Sequence, residues 1–378
     1  MPTAPTNNSK GLTIMEKKLK AAVIGLGKGW DHLDGYLTHP EVEVVAVADR
    51  RADRQQRFLN AHGSKNIRFY SEGADLIKAE ELDILSVAVP NCQHKALTVA
   101  ALEAGANVLC EKPMAMDTAE AEEMLATAKK CCRKLGINFS YRFFPQSRAM
   151  KKLVDSGMAG DIYFAETTWM RRDGIPGLTA GDFGSAAATA GGAMGSWFFD
   201  KKQSGGGPLI DLGVHRLDLA LWLMGYPEPA WVMGSTYAKF GPELAKAEKV
   251  DFSVEDFASA MIKFKNGATL QLNVSWAGNI KERELQCTRW VGTKCGILQK
   301  NLNEGYTYEV EFFKKENGSC LDYKLHEPAP AMPSAYHLFV NAVRDNTEFL
   351  VRPEEGITVM KLLDAIYRSA ATGNPVEM

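Results

Sequence analysis

An imidazole and two carboxylates share one face of a stretch that is otherwise apolar. In SGGGPLIDLGVHRLDLALWLMG, residues 204–225, Asp211, His215 and Asp218 follow one another at steps of four and three, the spacing that aligns side chains along a helix. A histidine with a reference pKa near 6.5 can be neutral at working pH and accept a proton as a general base. Asp211, one turn earlier, can bind a neighbouring hydroxyl or orient the imidazole. By geometry the three side chains could hold a metal, but they suit an oxygen-rich substrate as well, and no metal is expected. Asp218 reads as structural, a partner for Arg216 or a backbone group.

A helix must position these groups, and its limits are written locally. Gly205, Gly206 and Gly207 end a loop and would let backbone approach a substrate, Pro208 suits a first turn, and Gly225 followed by Pro227 stops the helix. Leucines, Ile210, Val214 and Trp222 point in nearly every direction between them, the pattern of a helix buried all round.

A second chemical signal lies near the N-terminus. AVIGLGKGWDH places Gly25, Gly27 and Gly29 at the end of an apolar strand. A dinucleotide loop of the form G-x-G-x-x-G brings backbone amides and a helix N-terminus to a pyrophosphate. Here Trp30 occupies the third glycine position and Gly29 sits one residue early. Asp49 ends the second strand, 24 residues after Gly25, where an acid binds ribose hydroxyls and repels a 2′-phosphate, favouring NAD over NADP. Arg50 and Arg51 soften that preference. Lys28 and Arg50 join the glycines, Trp30 and Asp49 as expected cofactor contacts.

The elements around these signals define the fold class: α/β, an N-terminal Rossmann domain plus a C-terminal α/β domain with an open, mostly antiparallel sheet. Across 19–142, LKAAVIGLG, VEVVAVAD, LDILSVAVP, ANVLCEKP and GINFSYR read as strands separated by helices, hence a parallel sheet covered on both faces. Residues 143–378 open with a helix and continue with strands near 161–171, 230–240, 255–265, 268–277, 285–300 and 306–313. A turn at KNGA, 265–268, joins two of them, and final helices at 334–345 and 356–372 pack back on the body. Residues 1–18 read as a disordered tail, and the Gly/Ala/Ser/Thr segment 177–196 as a mobile loop beside the site.

Length and composition agree with two domains. The 378 residues exceed one ordinary core, 46% are hydrophobic, and the net charge is −2. Charges of both signs are mixed, which argues against nucleic acid and membrane partners. The polar N-terminus lacks a secretory apolar run. Seven cysteines without metal spacing read as reduced thiols in a cytoplasmic protein.

Three more strand ends, VPNCQH at 89–94, CEKPMAMD at 110–117 and SYRFFP at 140–145, stand where a parallel sheet binds ligands. Together with GGGPLIDLGVH they resemble the glucose–fructose oxidoreductase and inositol dehydrogenase family, Gfo/Idh/MocA, from about Leu19 to the end of the chain. The resemblance implies a site between two domains and a homodimer or homotetramer built through the open sheet. It assigns Lys112, Asp211 and His215 to catalysis, and Pro90, Asn91, His94, Glu111 and Lys112 to the cofactor. Tyr141 and Arg142 are placed near the nicotinamide.

The chemistry implied is hydride transfer between a carbohydrate hydroxyl and NAD. His215 takes the hydroxyl proton and Lys112 stabilises the developing alkoxide. Substrate contacts are expected from Tyr141, Trp169, Trp197, Asp211 and His215. Arg171 and Arg172 follow one another on a strand and must face opposite ways, so one can enter the site and favour an anionic group. A related reading is an NAD-retaining glycosidase working by oxidation, elimination, hydration and reduction, on anionic glycosides such as sulfoquinovosides. Tyr141 or His215 would then serve as base for the carbon acid.

Overall fold

The computed structural model describes residues 17–179, 196–326 and 333–378. The expected N-terminal tail, but for residues 17 and 18, and most of the small-residue loop lie outside the described residues. Six strands, β1 Leu19–Ile24, β2 Val42–Ala48, β3 Arg68–Tyr70, β4 Ile84–Val87, β5 Asn107–Cys110 and β6 Leu135–Ile137, form a parallel sheet in the order β3-β2-β1-β4-β5-β6. Ala21, Ala22, Val23, Ile84, Leu85 and Val108 are wholly buried, as continuous apolar runs between two helical layers require. The order reverses between β1 and β4, and a crevice opens there at the carboxyl ends.

The last expected Rossmann strand is shorter than its sequence suggested. After Ile137 the chain leaves the sheet and turns through Ser140–Phe143, because the backbone N–H of Arg142 bonds Phe139 O at 3.1 Å and its side chain enters the core.

Nine further strands form the second sheet: β7 Ile162–Arg171, β8 Pro229–Tyr237, β9 Phe257–Phe264, β10 Thr269–Ser275, β11 Glu284–Gly292, β12 Gly296–Leu302, β13 Thr307–Glu316, β14 Ser319–Lys324 and β15 Val376–Glu377. Their order is β14-β13-β12-β11-β7-β10-β9-β8-β15, antiparallel except where β10 runs parallel to β7. The single strand expected at 285–300 is a hairpin of β11 and β12. It breaks at Gly292, where an added Cβ would lie 2.2 Å from Ala159 O. Alternate residues of β7 are buried, so one face meets helices and the other stays open, with Met261 of β9 exposed on it.

The covered face carries the helix that holds the polar edge. Its first turn, Leu209–Gly213, is a π-helical turn that continues into the α-helix Val214–Met224. Gly225 closes it in the left-handed conformation at φ 77°. An unforeseen carboxylate caps its start: Glu255 Oε1 accepts from the backbone N–H of Gly207 at 3.0 Å and Leu209 at 3.1 Å, and from the Tyr367 hydroxyl at 2.9 Å. The glycines before it serve this cap. A Cβ on Gly206 would lie 1.8 Å from Tyr367 Oη and one on Gly207 2.0 Å from Glu255 O. What approaches Gly206 and Gly207 closely is the protein's own cap.

The helix Ala335–Arg344 returns to the first domain: Tyr336 fills the space above Gly35, and His337 Nε2 lies 2.9 Å from Gly35 O. The helix Pro353–Thr372 packs on β8, where Gly234 makes room for Ile366.

Candidate active site

The glycine loop has the shape a dinucleotide needs. Gly25 has φ +89° and an added Cβ would lie 2.2 Å from Ala88 O, so only glycine fits. Gly29, not residue 30, supplies the close helix–sheet approach: its Cβ would meet Val23 Cγ1 at 2.9 Å and Ala88 Cβ at 3.1 Å. Trp30, an expected cofactor contact, turns its ring toward a neighbouring helix. Its ring lies under the Arg57 guanidinium, 3.8 Å away, and beside His62, so it faces the helix Ala52–His62.

Asp49 ends β2 and fixes the loop. Its Oδ2 accepts from Leu26 N at 2.7 Å and Arg54 Nη1 at 3.0 Å, and its Oδ1 from Arg51 N at 2.8 Å. Arg54, which the sequence did not single out, also lies against Gly27. Arg50 pairs with Glu72 and Lys28 with Asp31, both at the surface. Gly25, Gly27, Gly29 and Asp49 therefore form a cradle that fits NAD: the loop would take the pyrophosphate and Asp49 the ribose.

The strand ends behind β4 and β5 divide into open and sealed groups. Pro90 stays partly exposed. Asn91 donates Nδ2 to Ser204 O at 2.7 Å and so ties the Rossmann edge to the second domain. His94 is fully buried, with Nδ1 2.8 Å from Pro113 O and Nε2 2.9 Å from Val89 O. It clamps two loops and does not face the crevice, contrary to its expected cofactor contact. Glu111 is buried against His32 at 2.9 Å and Asn138 at 2.7 Å. Burial opposes its charge, but those two partners and Lys28 prevail and hold its carboxyl well below the usual range.

Beside Glu111, Lys112 reaches across the domain boundary. Its Nζ donates to Asp211 Oδ1 and to the Asp211 backbone O, each at 3.0 Å. Asp211 Oδ2 takes a third bond from Trp276 Nε1 at 3.0 Å. Burial works to raise the Asp211 pKa, yet Lys112 and Arg171 lower it below its ordinary value, so the carboxylate stays ionised. Both side chains of the Lys112–Asp211 pair remain about one-sixth exposed, 17% and 16%.

His215 completes the cluster without a hydrogen bond to Asp211. Its ring lies 5.0 Å from Tyr141 and 5.9 Å from Trp169, and its buried Nδ1 has no partner among the described residues. Burial first, then the Lys112 cation, pushes its pKa well below 6.5, so the imidazole is neutral. Of the two roles expected of Asp211, orienting the imidazole has no hydrogen bond behind it; the carboxylate holds Lys112 and Trp276.

A wall of strand residues backs the imidazole. Trp169 donates Nε1 to Glu284 at 2.6 Å, and Tyr141 donates its hydroxyl to Gln286 Oε1 at 3.1 Å. Tyr308 and the fully buried Arg216 converge on the same Gln286 oxygen. Trp276, Glu284, Gln286 and Tyr308 went unread in the sequence. Period-two alternation marked their strands, but only the sheet order shows which inward residues meet.

The two arginines separate at the end of β7: Arg171, its last residue, is buried against Glu284 and Tyr306, while Arg172, just past it, is exposed and bonds Ile280 O at 2.6 Å. Arg172 thus leaves the site. Trp197 packs on Phe198, whose ring neighbours Trp276. Arg142 is also removed from the cofactor. It is wholly buried and pairs with Asp218 at 2.6 Å and Glu355 at 2.7 Å, with Tyr226 Oη at 2.7 Å. Asp218 is structural as expected, but its partner is Arg142, not Arg216.

Comparison with known proteins places this geometry in a family. The family model GFO_IDH_MocA, an oxidoreductase family with an NAD-binding Rossmann fold, matches residues 19–139, and the GFO/IDH/MocA C-terminal domain matches 147–297. D-glucoside 3-dehydrogenase of Escherichia coli (strain K12) is 30% identical, over 95% of this chain and 97% of that protein. The fold is shared with aldose–aldose oxidoreductase from Caulobacter crescentus complexed with glycerol (24% identity, 96% and 100% of the two chains, TM-score 0.76). It is shared also with levoglucosan dehydrogenase in complex with NADH and levoglucosan (22% identity, 95% and 99%, TM-score 0.79). With its NAD-binding first domain and its open-sheet second domain, the chain belongs to the Gfo/Idh/MocA family of oxidoreductases.

Proposed function

We propose that the protein is an NAD-dependent dehydrogenase that oxidises a ring hydroxyl of a sugar or glycoside. The observation that carries this reading is the junction of Lys112, from the Rossmann edge, with Asp211 and neighbouring His215, from the second domain. The glucoside-oxidising relative, aligned over nearly the whole chain, supports a pyranoside as the substrate class.

His215, neutral and walled by Tyr141 and Trp169, accepts the hydroxyl proton. Lys112 donates a hydrogen bond to the oxygen as negative charge develops on it. Asp211 keeps that lysine in place and receives an adjacent hydroxyl. Trp169 is buried with Arg171 and Arg216 stacked over its indole, so it backs the imidazole from behind. When bound, NAD supplies the hydride acceptor.

Asp49 favours NAD over NADP, because Arg50 is engaged by Glu72 and a 2′-phosphate would meet the carboxylate. The open face of the second sheet is the surface through which copies of the chain would pair in a homodimer or homotetramer. No helix among the described residues is long and apolar enough to cross a membrane.

The glycosidase reading requires a second base for a carbon acid. Burial pushes the Tyr141 phenol well above its ordinary pKa, and its hydroxyl is engaged by Gln286; the simple dehydrogenase therefore suits the site better. Incubation with NAD and a panel of free sugars and aryl glycosides, following NADH and aglycone together, tests the reading. NADH formed without aglycone release is the expected result. Aglycone released without net NADH would overturn it.

A further inference from the structure

The charges that line the substrate side of the cluster come in closed pairs. Lys112 is matched by Asp211. Arg171, the arginine that β7 turns inward, stacks at 5.5 Å over Trp169 and lies close enough to Asp211 to act on its charge. It is not free to bind an anion. Glu284 stands 3.3 Å from its Nε, and the Tyr306 hydroxyl accepts from its Nη2 at 3.2 Å.

Glu284 is itself held in place. The same Oε1 accepts from Trp169 Nε1 at 2.6 Å and from Gln286 Nε2 at 3.1 Å. The carboxylate is 3% exposed, so its charge is poorly screened by water. Arg216 adds a cation behind this wall, stacked at about 5 Å over Tyr141 and Trp169. It is fully covered and bonded to Gln286, so no ligand atom reaches it.

We infer that Glu284 is a specificity-determining residue, which cancels Arg171 inside the substrate chamber and restricts the site to uncharged pyranosides. Resting on the dehydrogenase reading, this inference names its substrate class. An anionic sugar entering beside Trp169 would meet a fixed carboxylate whose cation is already engaged, and specificity would come from that repulsion as much as from attraction to hydroxyls. The arginine that suggests an anionic glycoside when only the sequence is in view thus acts, with its partner, in the opposite sense.

The test compares methyl glucoside with two anionic counterparts, methyl glucuronide and glucose 1-phosphate, which carry charge at opposite ends of the ring. Each is assayed for kcat and KM with NAD, and its binding to the NAD-loaded protein is measured by calorimetry. The wild type should favour the neutral sugar by about tenfold or more in Kd. Glu284→Gln, which keeps an acceptor for Trp169, should narrow that ratio about tenfold by tightening the anion; Arg171→Met should widen it.

Opposite movement in the two variants is a signature that simple loss of packing does not give, and either variant alone suffices if the other fails to fold. Equal or tighter wild-type binding of both anionic sugars overturns the inference, as does an unchanged ratio in both variants. NADH formation from none of the sugars would sink the dehydrogenase reading, while the calorimetric ratio still decides the role of Glu284. Binding of none of them overturns both.

Discussion

Asp211 and Asp218 stand on one helical rod, and each faces a cation delivered from the Rossmann half. Asp218 is completely buried, with Arg142 on both carboxylate oxygens and Tyr226 Oη at 2.7 Å from Oδ1. Asp211 keeps a partly exposed side chain, holds Lys112 and Trp276, and lies beside an imidazole with an unpartnered nitrogen. Residue type and helical spacing are the same at the two ends; the neighbours differ. A sealed ion pair fixes the seam between domains, whereas an open one leaves groups that a hydroxyl-bearing ligand can meet.

That contrast can be broken at either end. The largest effect is expected at the open end: His215→Ala should lower turnover by about 10²–10⁴-fold while NAD still binds. Unchanged turnover in stopped-flow or steady-state assays would remove the imidazole from the chemistry. At the sealed end, Asp218→Ala takes from the buried Arg142 one of its two carboxylates, leaving Glu355, and should cost about 3 kcal/mol of stability, read by denaturant melts. Little loss there, or a loss of turnover per folded molecule as large as that of His215→Ala, would erase the distinction between the two ends.

Smaller effects sharpen it. Asp211→Asn keeps an acceptor but loosens Lys112, and should reduce kcat by about 10²-fold with melting little changed. The pH dependence has a fixed sign. Burial and Lys112 favour the neutral imidazole, so kcat/KM should rise as His215 deprotonates on an acid limb lying below about pH 6.5; a limb at or above that value would contradict the described environment. The smallest change is expected from Arg172→Ala, exposed just past the end of β7, with activity within about twofold of wild type and stability within about 0.5 kcal/mol.

Much of the Rossmann half was legible because its signals are local. The apolar runs of β1, β2, β4 and β5, the glycine turn and the acid at 49 are each read within a few residues. Three-residue β3 and two-residue β15 are too short to show a period, and β14 is an exposed edge without alternating burial. In the candidate site, Asp211 and His215 were marked by their helical spacing and Lys112 by the resemblance, and the three lie together. Their supports did not come with them: Trp276, Glu284 and Gln286 lie 65 or more residues from the groups they hold. Arg142 failed for the same reason. Its position beside the last Rossmann strand pointed to the crevice, but the helix and Glu355, distant in sequence, captured it first.

Lys112 bonds the main-chain oxygen at position 211 as well as the carboxylate, within the widened turn that begins the helix. A side chain can be exchanged by a single codon change, whereas a carbonyl is present whatever residue is encoded. The lysine therefore keeps one anchor through any replacement at 211.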